Sequence, residues 1–182
     1  MRFKFPNYLT IGRIIIVPIF VLTFYLPGFY GDVIPFFLFV VASFTDFLDG
    51  LLARLYKEES KLGELLDPIA DKIIVATALI LLVMDGTIKN FEVIAAIIIL
   101  IREILISGLR EFLAKLNTDM PVSKLAKYKT TFQMVSLSIL IIGLGFELND
   151  FLWNLGLVTL WLAAIITLLS GYNYVAKGLK HI

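Results

Sequence analysis

The chain has 182 residues, 59% of them hydrophobic, and a mean hydropathy of +0.92. Soluble domains run to roughly 45–50% apolar, so this composition belongs to the membrane class and excludes an ordinary soluble globule. The formal net charge is +1, there is no cysteine, and the one histidine, His181, lies in the tail. Disulfides and thiolate metal sites are therefore excluded, a histidine base is not expected, and any metal must be held by oxygen. No nucleic-acid partner is expected.

Taken in order, the chain reads as one domain, 1–182, and as an all-α membrane protein. A span needs about 20 mostly apolar residues, and on that basis a six-transmembrane-helix bundle follows a short N-terminal interfacial segment. The start, MRFKFPNYLTIGR, mixes Arg2, Lys4 and Arg13 with Phe3, Phe5 and Tyr8, so about residues 1–8 are expected to lie on the membrane surface. Six spans follow, at about 9–26, 33–56, 63–84, 91–116, 125–146 and 151–175. Pro18 is an expected kink in the first, and Pro68 is expected in about the first turn of the third, where a missing N–H costs little. Phe36, Phe37, Phe39, Trp153 and Trp161 are expected to face lipid or the interface. Gly143 and Gly145 are expected to permit close helix packing.

The loop charges set an orientation. Lysines and arginines gather at the N-terminus (Arg2, Lys4), in the second loop (Lys57, Lys61), in the fourth (Lys115, Lys124) and at the C-terminus (Lys177, Lys180), whereas the other three loops share only Lys89. The positive-inside rule then puts both termini in the cytoplasm, which an even number of spans also requires. The expected location is a plasma (inner) membrane, with the protein integral and multi-pass.

The chemistry concentrates in residues 45–72, TDFLDGLLARLYKEESKLGELLDPIADK. Asp46 and Asp49 are three apart, Asp67 and Asp71 four apart, and residues at those spacings share a helix face. The expected orientation carries both pairs to the cytoplasmic half of adjacent spans. A charge at mid-span costs at least ~2.5–3.5 kcal/mol, so four of them unpaired would cost on the order of 10 kcal/mol. Divalent cations with hard oxygen ligands are the natural filling for four converging carboxylates. Gly50, Ala53 and Gly63 flank the pairs with little side chain and leave room for a bulky ligand against the backbone, and Arg54 offers a fork suited to phosphate.

The order and spacing, D-x-x-D-G-x-x-A-R, eight residues, G-x-x-x-D-x-x-x-D, resemble the signature of the CDP-alcohol phosphatidyltransferases at every fixed position: Asp46, Asp49, Gly50, Ala53, Arg54, Gly63, Asp67 and Asp71. The resemblance implies two Mg²⁺ or Mn²⁺ ions on the four aspartates and CDP-diacylglycerol as donor. It also implies nucleotide contact at Gly50, Ala53, Gly63 and Arg54, Asp71 as general base, and a homodimer among membrane lipids. The segments IREILISGLREFL and SKLAKYKTTFQM are similar to the branch of that family whose acceptor is glycerol 3-phosphate. On that likeness Arg110 and Lys127, with Arg102 and Lys129, receive the acceptor's phosphate, while Asn7, Thr10 and Arg13 of PNYLTIGR approach the nucleotide phosphates. Three readings stay open beside this one. Arg102 could instead form structural pairs with Glu103 or Glu111, the acceptor could be another alcohol such as inositol phosphate or serine, and four mid-helix carboxylates could serve a divalent-cation transporter.

Overall fold

A computed structural model describes residues 5–56, 61–116, 124–143 and 150–178. Within these helices the side chains of 5–10, 46–56, 61–65, 67, 68, 71, 124–127 and 177 lie outside the description. The described residues are all helix and short turn: α1 (Phe5–Thr23), α2 (Phe29–Tyr56), α3 (Lys61–Met84), α4 (Glu92–Lys115), α5 (Lys124–Gly143) and α6 (Asp150–Gly178). The expected interfacial segment is helical from Phe5 and runs without a break into the first span. Helix α3 begins two residues before its expected start, so Pro68 is its eighth residue, beyond the first turn. There the missing N–H removes an intrahelical bond.

The chain divides into two compact units. In the first, α1 packs against both α2 and α3. The buried stripe of α2 is Gly31, Pro35, Phe39 and Ala42, and that of α3 is Ala70, Ile74, Ala78 and Leu81, each at the three-and-four spacing of one helical face. Phe39, expected at the lipid surface, is fully buried, with its ring 6.2 Å from that of Phe20 on α1. It lies on the inward stripe, while its neighbour Phe37 is exposed.

The α1–α2 turn is closed by backbone geometry. Phe24, Tyr25 and Leu26 donate to carbonyls three residues back, a 3₁₀ tightening of the helix end. Gly28 then takes φ +62, and the Gly31 N–H bonds to the Gly28 carbonyl at 2.9 Å. A Cβ on Gly31 would stand 2.1 Å from the Leu26 carbonyl oxygen, which is backbone and cannot step aside. Gly31→Ala is therefore expected to cost about 2 kcal/mol or more. A lowered thermal midpoint of the detergent-solubilised protein is the measurement, and an unchanged midpoint would show that the turn does not need glycine.

In the second unit α4 packs along α6. Small residues make the approach possible: Ala95 and Ala96 on α4, and Gly156, Ala163, Ala164, Ser170 and Gly171 on α6, are all buried. A Cβ on Gly156 would meet Leu140 Cδ2 at 2.7 Å, and one on Gly178 would meet Leu113 Cδ1 at 3.2 Å. Among the described residues nothing lies within 4 Å of such an atom on Gly143, which belongs to the first unit, whereas the α6 glycines are closely packed; Gly145 lies outside the described residues. Helix α5 is tied to α6 by Ser136 Oγ, which donates to the Gly156 carbonyl at 2.9 Å. Trp153, expected at the interface, is half-buried, and its Nε1 donates to the Thr87 carbonyl at 3.2 Å.

This unit hides polar groups and shows apolar ones. Lys129, Gln133, Ser136, Thr167 and Ser170 are buried, while Ile97, Ile101 and Ile104 of α4 and Val158, Ile165 and Leu169 of α6 are exposed. Monomeric soluble proteins rarely expose contiguous apolar patches of that kind, and lipid is the solvent that suits them. Among the described residues one helix, Asp150–Ala176, is long and apolar enough to cross a membrane, and the apolar stretches Ile11–Thr23, Phe29–Thr45 and Lys72–Met84 are shorter.

Candidate active site

The aspartate pairs sit on the helices whose packing has just been described. The buried stripe of α2, Pro35–Phe39–Ala42, reaches Asp46, Asp49 and Ala53 as its next positions at the same alternating spacing. On α3, Asp67 precedes Asp71 by one turn, and Asp71 precedes Ile74 and Ala78 on the same register. Thus both pairs continue the faces that bury the core of the first unit.

Their intervals from the connection also agree. Four residues, 57–60, separate α2 from α3 in sequence, and the two helices touch. Asp46 stands ten residues before the last residue of α2 and Asp71 ten residues after the first of α3; Asp49 and Asp67 stand seven and six residues from the same ends. At a rise of 1.5 Å per residue this is about 15 Å for the outer pair and about 10 Å for the inner. Counted along the two helices, one residue of each pair thus stands about as far from the connection as one of the other. The side chains of Asp46, Asp49, Gly50, Ala53, Arg54, Gly63, Asp67 and Asp71 lie outside the described ones, so their contacts are not stated.

Helix α1 supplies the third wall. Arg13 is only 3% exposed and shares the inward face with Phe20 and Thr23; one turn earlier, Thr10 continues that register. Asn7 is nearer the start of the same helix, and the side chains of Asn7 and Thr10 are not among those described. A buried guanidinium needs an anionic or strongly accepting environment, and Arg13 has an interaction within the protein.

The expected acceptor residues belong to the second unit. Arg102 and Lys129 are brought together there: Arg102 Nη1 lies 3.4 Å from Glu103 Oε1, and Lys129 Nζ donates to the same oxygen. Arg102 Nη2 also donates to Ser170 Oγ at 3.3 Å. The structural pairing of Arg102 with Glu103 is thus present, and it includes Lys129 as well. Arg110 is exposed on α4, and the Lys127 side chain is outside the described ones. Ser170 was not singled out by the sequence. Its only signal there is membership of the small-residue series Gly156, Ala163, Thr167, Ser170, Gly171 and Gly178 on α6.

An all-helical, lipid-exposed chain with this aspartate frame defines an enzyme class, the phosphatidyltransferases, and the chain belongs to the CDP-alcohol phosphatidyltransferase family, whose model matches residues 3–169. Its relatives narrow the class. It is 44% identical over 169 residues to the CDP-diacylglycerol–glycerol-3-phosphate 3-phosphatidyltransferase of Rickettsia felis, covering 93% of this chain and 92% of that one. It is 42% identical to the enzyme of the same name from Haemophilus influenzae (98% and 96% covered), and 35% identical to that of Cereibacter sphaeroides (100% and 98% covered).

Proposed function

We propose that this protein transfers the phosphatidyl group of CDP-diacylglycerol to glycerol 3-phosphate, giving phosphatidylglycerol phosphate and CMP in phospholipid biosynthesis. The observation that carries this reading is the register of Asp46, Asp49, Asp67 and Asp71 on two touching helices, in a chain whose relatives carry that name. Four carboxylates are a donor set of hard oxygens that suits two Mg²⁺ or Mn²⁺ ions. When bound, such ions neutralise the pyrophosphate and the departing CMP.

The chain's own residues do the rest. Gly50, Ala53 and Gly63 leave room for the cytidine and ribose beside α2 and α3, while Arg54, Arg13, Thr10 and Asn7 hold the nucleotide end. Asp71 takes the proton from the acceptor hydroxyl as its oxygen bonds to the lipid-linked phosphorus. The bond from that phosphorus to the CMP oxygen breaks, and CMP leaves with the electron pair. Arg110, Lys127, Arg102 and Lys129 hold the acceptor's phosphate, which would otherwise be repelled by the donor's anionic groups. The six helices span the membrane as a bundle with both termini and the site at the cytoplasmic face, so that acyl chains stay in lipid while glycerol 3-phosphate arrives from water. Two copies form a homodimer.

The test is CMP release from CDP-diacylglycerol in liposomes with glycerol 3-phosphate, inositol phosphate or serine supplied separately. Release with glycerol 3-phosphate at least about 100-fold faster than with the others is expected, since serine leaves the site's cations without their anion and inositol phosphate presents its hydroxyl on a bulky ring. Release with another acceptor alone would overturn the assignment, and metal uptake without CMP release would favour a transporter.

A further inference from the structure

Resting on the acceptor reading above, we infer that Glu103, braced by Ser170, is the positioning residue of the acceptor-phosphate site: it holds Arg102 and Lys129 side by side from two different helices. One carboxylate oxygen, Glu103 Oε1, receives both cations. All three side chains are largely buried, with 11%, 17% and 7% of Arg102, Glu103 and Lys129 exposed. Two positive charges at one place repel unless an anion lies between them, and Glu103 is that anion on α4. The arrangement is also built to keep Arg102 where it is. Its Nη2 donates to Ser170 Oγ on α6, and Ser170 Oγ in turn donates to the Thr167 carbonyl at 3.1 Å. Gly171 makes the room: a Cβ there would meet Arg102 Cγ at 3.1 Å.

A structural ion pair would match one cation to one carboxylate. Here one carboxylate oxygen receives two cations, and among the described residues Arg102 Nε is buried without a hydrogen-bond partner. A guanidinium has five N–H donors, and those Arg102 sends to Glu103 and Ser170 leave its Nε–H over. A phosphate monoester has the charge and the oxygens to use the remainder. Glu103 therefore does not touch the substrate; it fixes the spacing of the two cations before the phosphate arrives, so less ordering remains to be done on binding.

The experiment uses the full-length protein in liposomes, with each substrate varied in turn. Glu103→Gln is expected to raise KM for glycerol 3-phosphate about 10-fold, as loss of one charged hydrogen bond implies, with KM for CDP-diacylglycerol unchanged. The inhibition constant of inorganic phosphate against glycerol 3-phosphate should rise in parallel, and Glu103→Asp should recover part of the loss. Ser170→Ala, a change small enough to leave the fold intact, is expected to raise the acceptor KM about 3-fold by freeing Arg102. Both KM values unchanged, both shifted together, or a fall in kcat alone would overturn the inference and leave Glu103 a structural ion-pair partner. If Glu103→Gln does not fold, Ser170→Ala decides: an unchanged acceptor KM overturns the inference. Wild-type protein that ignores glycerol 3-phosphate but uses another alcohol refutes the acceptor reading and this inference together; active wild type with indifferent variants refutes this inference alone.

Discussion

Asp71→Asn is expected to cut the rate of CMP release by about 10²–10⁴-fold, the range a positioned general base contributes. The side chain keeps its size and loses its charge, so the helix has no reason to change. What goes is the group that accepts the acceptor's proton, together with one oxygen donor of the proposed ion pair. Asp46, Asp49 and Asp67 remain on α2 and α3, so binding of CDP in the presence of Mg²⁺ should persist at a weakened level. Titration calorimetry with CDP beside a CMP-release assay separates the two effects. A near-normal rate would remove Asp71 from the base role. Loss of rate and of nucleotide binding in equal measure would make it a ligand only.

Removal of divalent cations is expected to bring turnover to background, and either Mg²⁺ or Mn²⁺ should restore it. The reason is electrostatic. Four carboxylates converging as proposed would repel one another and also a pyrophosphate; without cations between them the donor would have no place to bind. The manganese form offers a second readout, because bound Mn²⁺ loses its solution paramagnetic-resonance signal. About two ions per chain should be silenced in the wild type and fewer in Asp67→Asn. Full activity after exhaustive chelation would end the two-ion proposal.

Some of this was legible in the residues alone because it depends on spacing along one helix. Intervals of three and four place Asp46 with Asp49 and Asp67 with Asp71 on any helix, and a chain with 59% apolar residues has few alternatives to helix in lipid. The family followed from eight fixed positions at fixed intervals. Features set by partners across space were not legible. Phe39 and Phe37 are both phenylalanines in an apolar run, yet one is buried against Phe20 and the other exposed, since only the position of α1 decides which face of α2 turns inward. Gly143 and Gly156 look alike in sequence, but only Gly156 has Leu140 pressed against it.

The charges on α4 show the same division. Arg102 and Glu103 are neighbours in sequence, and a pair between them was one of the open readings. That Lys129, 26 residues on, shares the same oxygen and that Ser170, 68 residues on, steadies the guanidinium could not be read from any local pattern. The amino-acid sequence by itself determined the helical class, the family and the register of the four aspartates, because each is a matter of composition or of intervals within one helix. Only the tertiary structure decided which apolar faces turn inward and which cations gather on Glu103, because those depend on the packing of helices far apart in the chain.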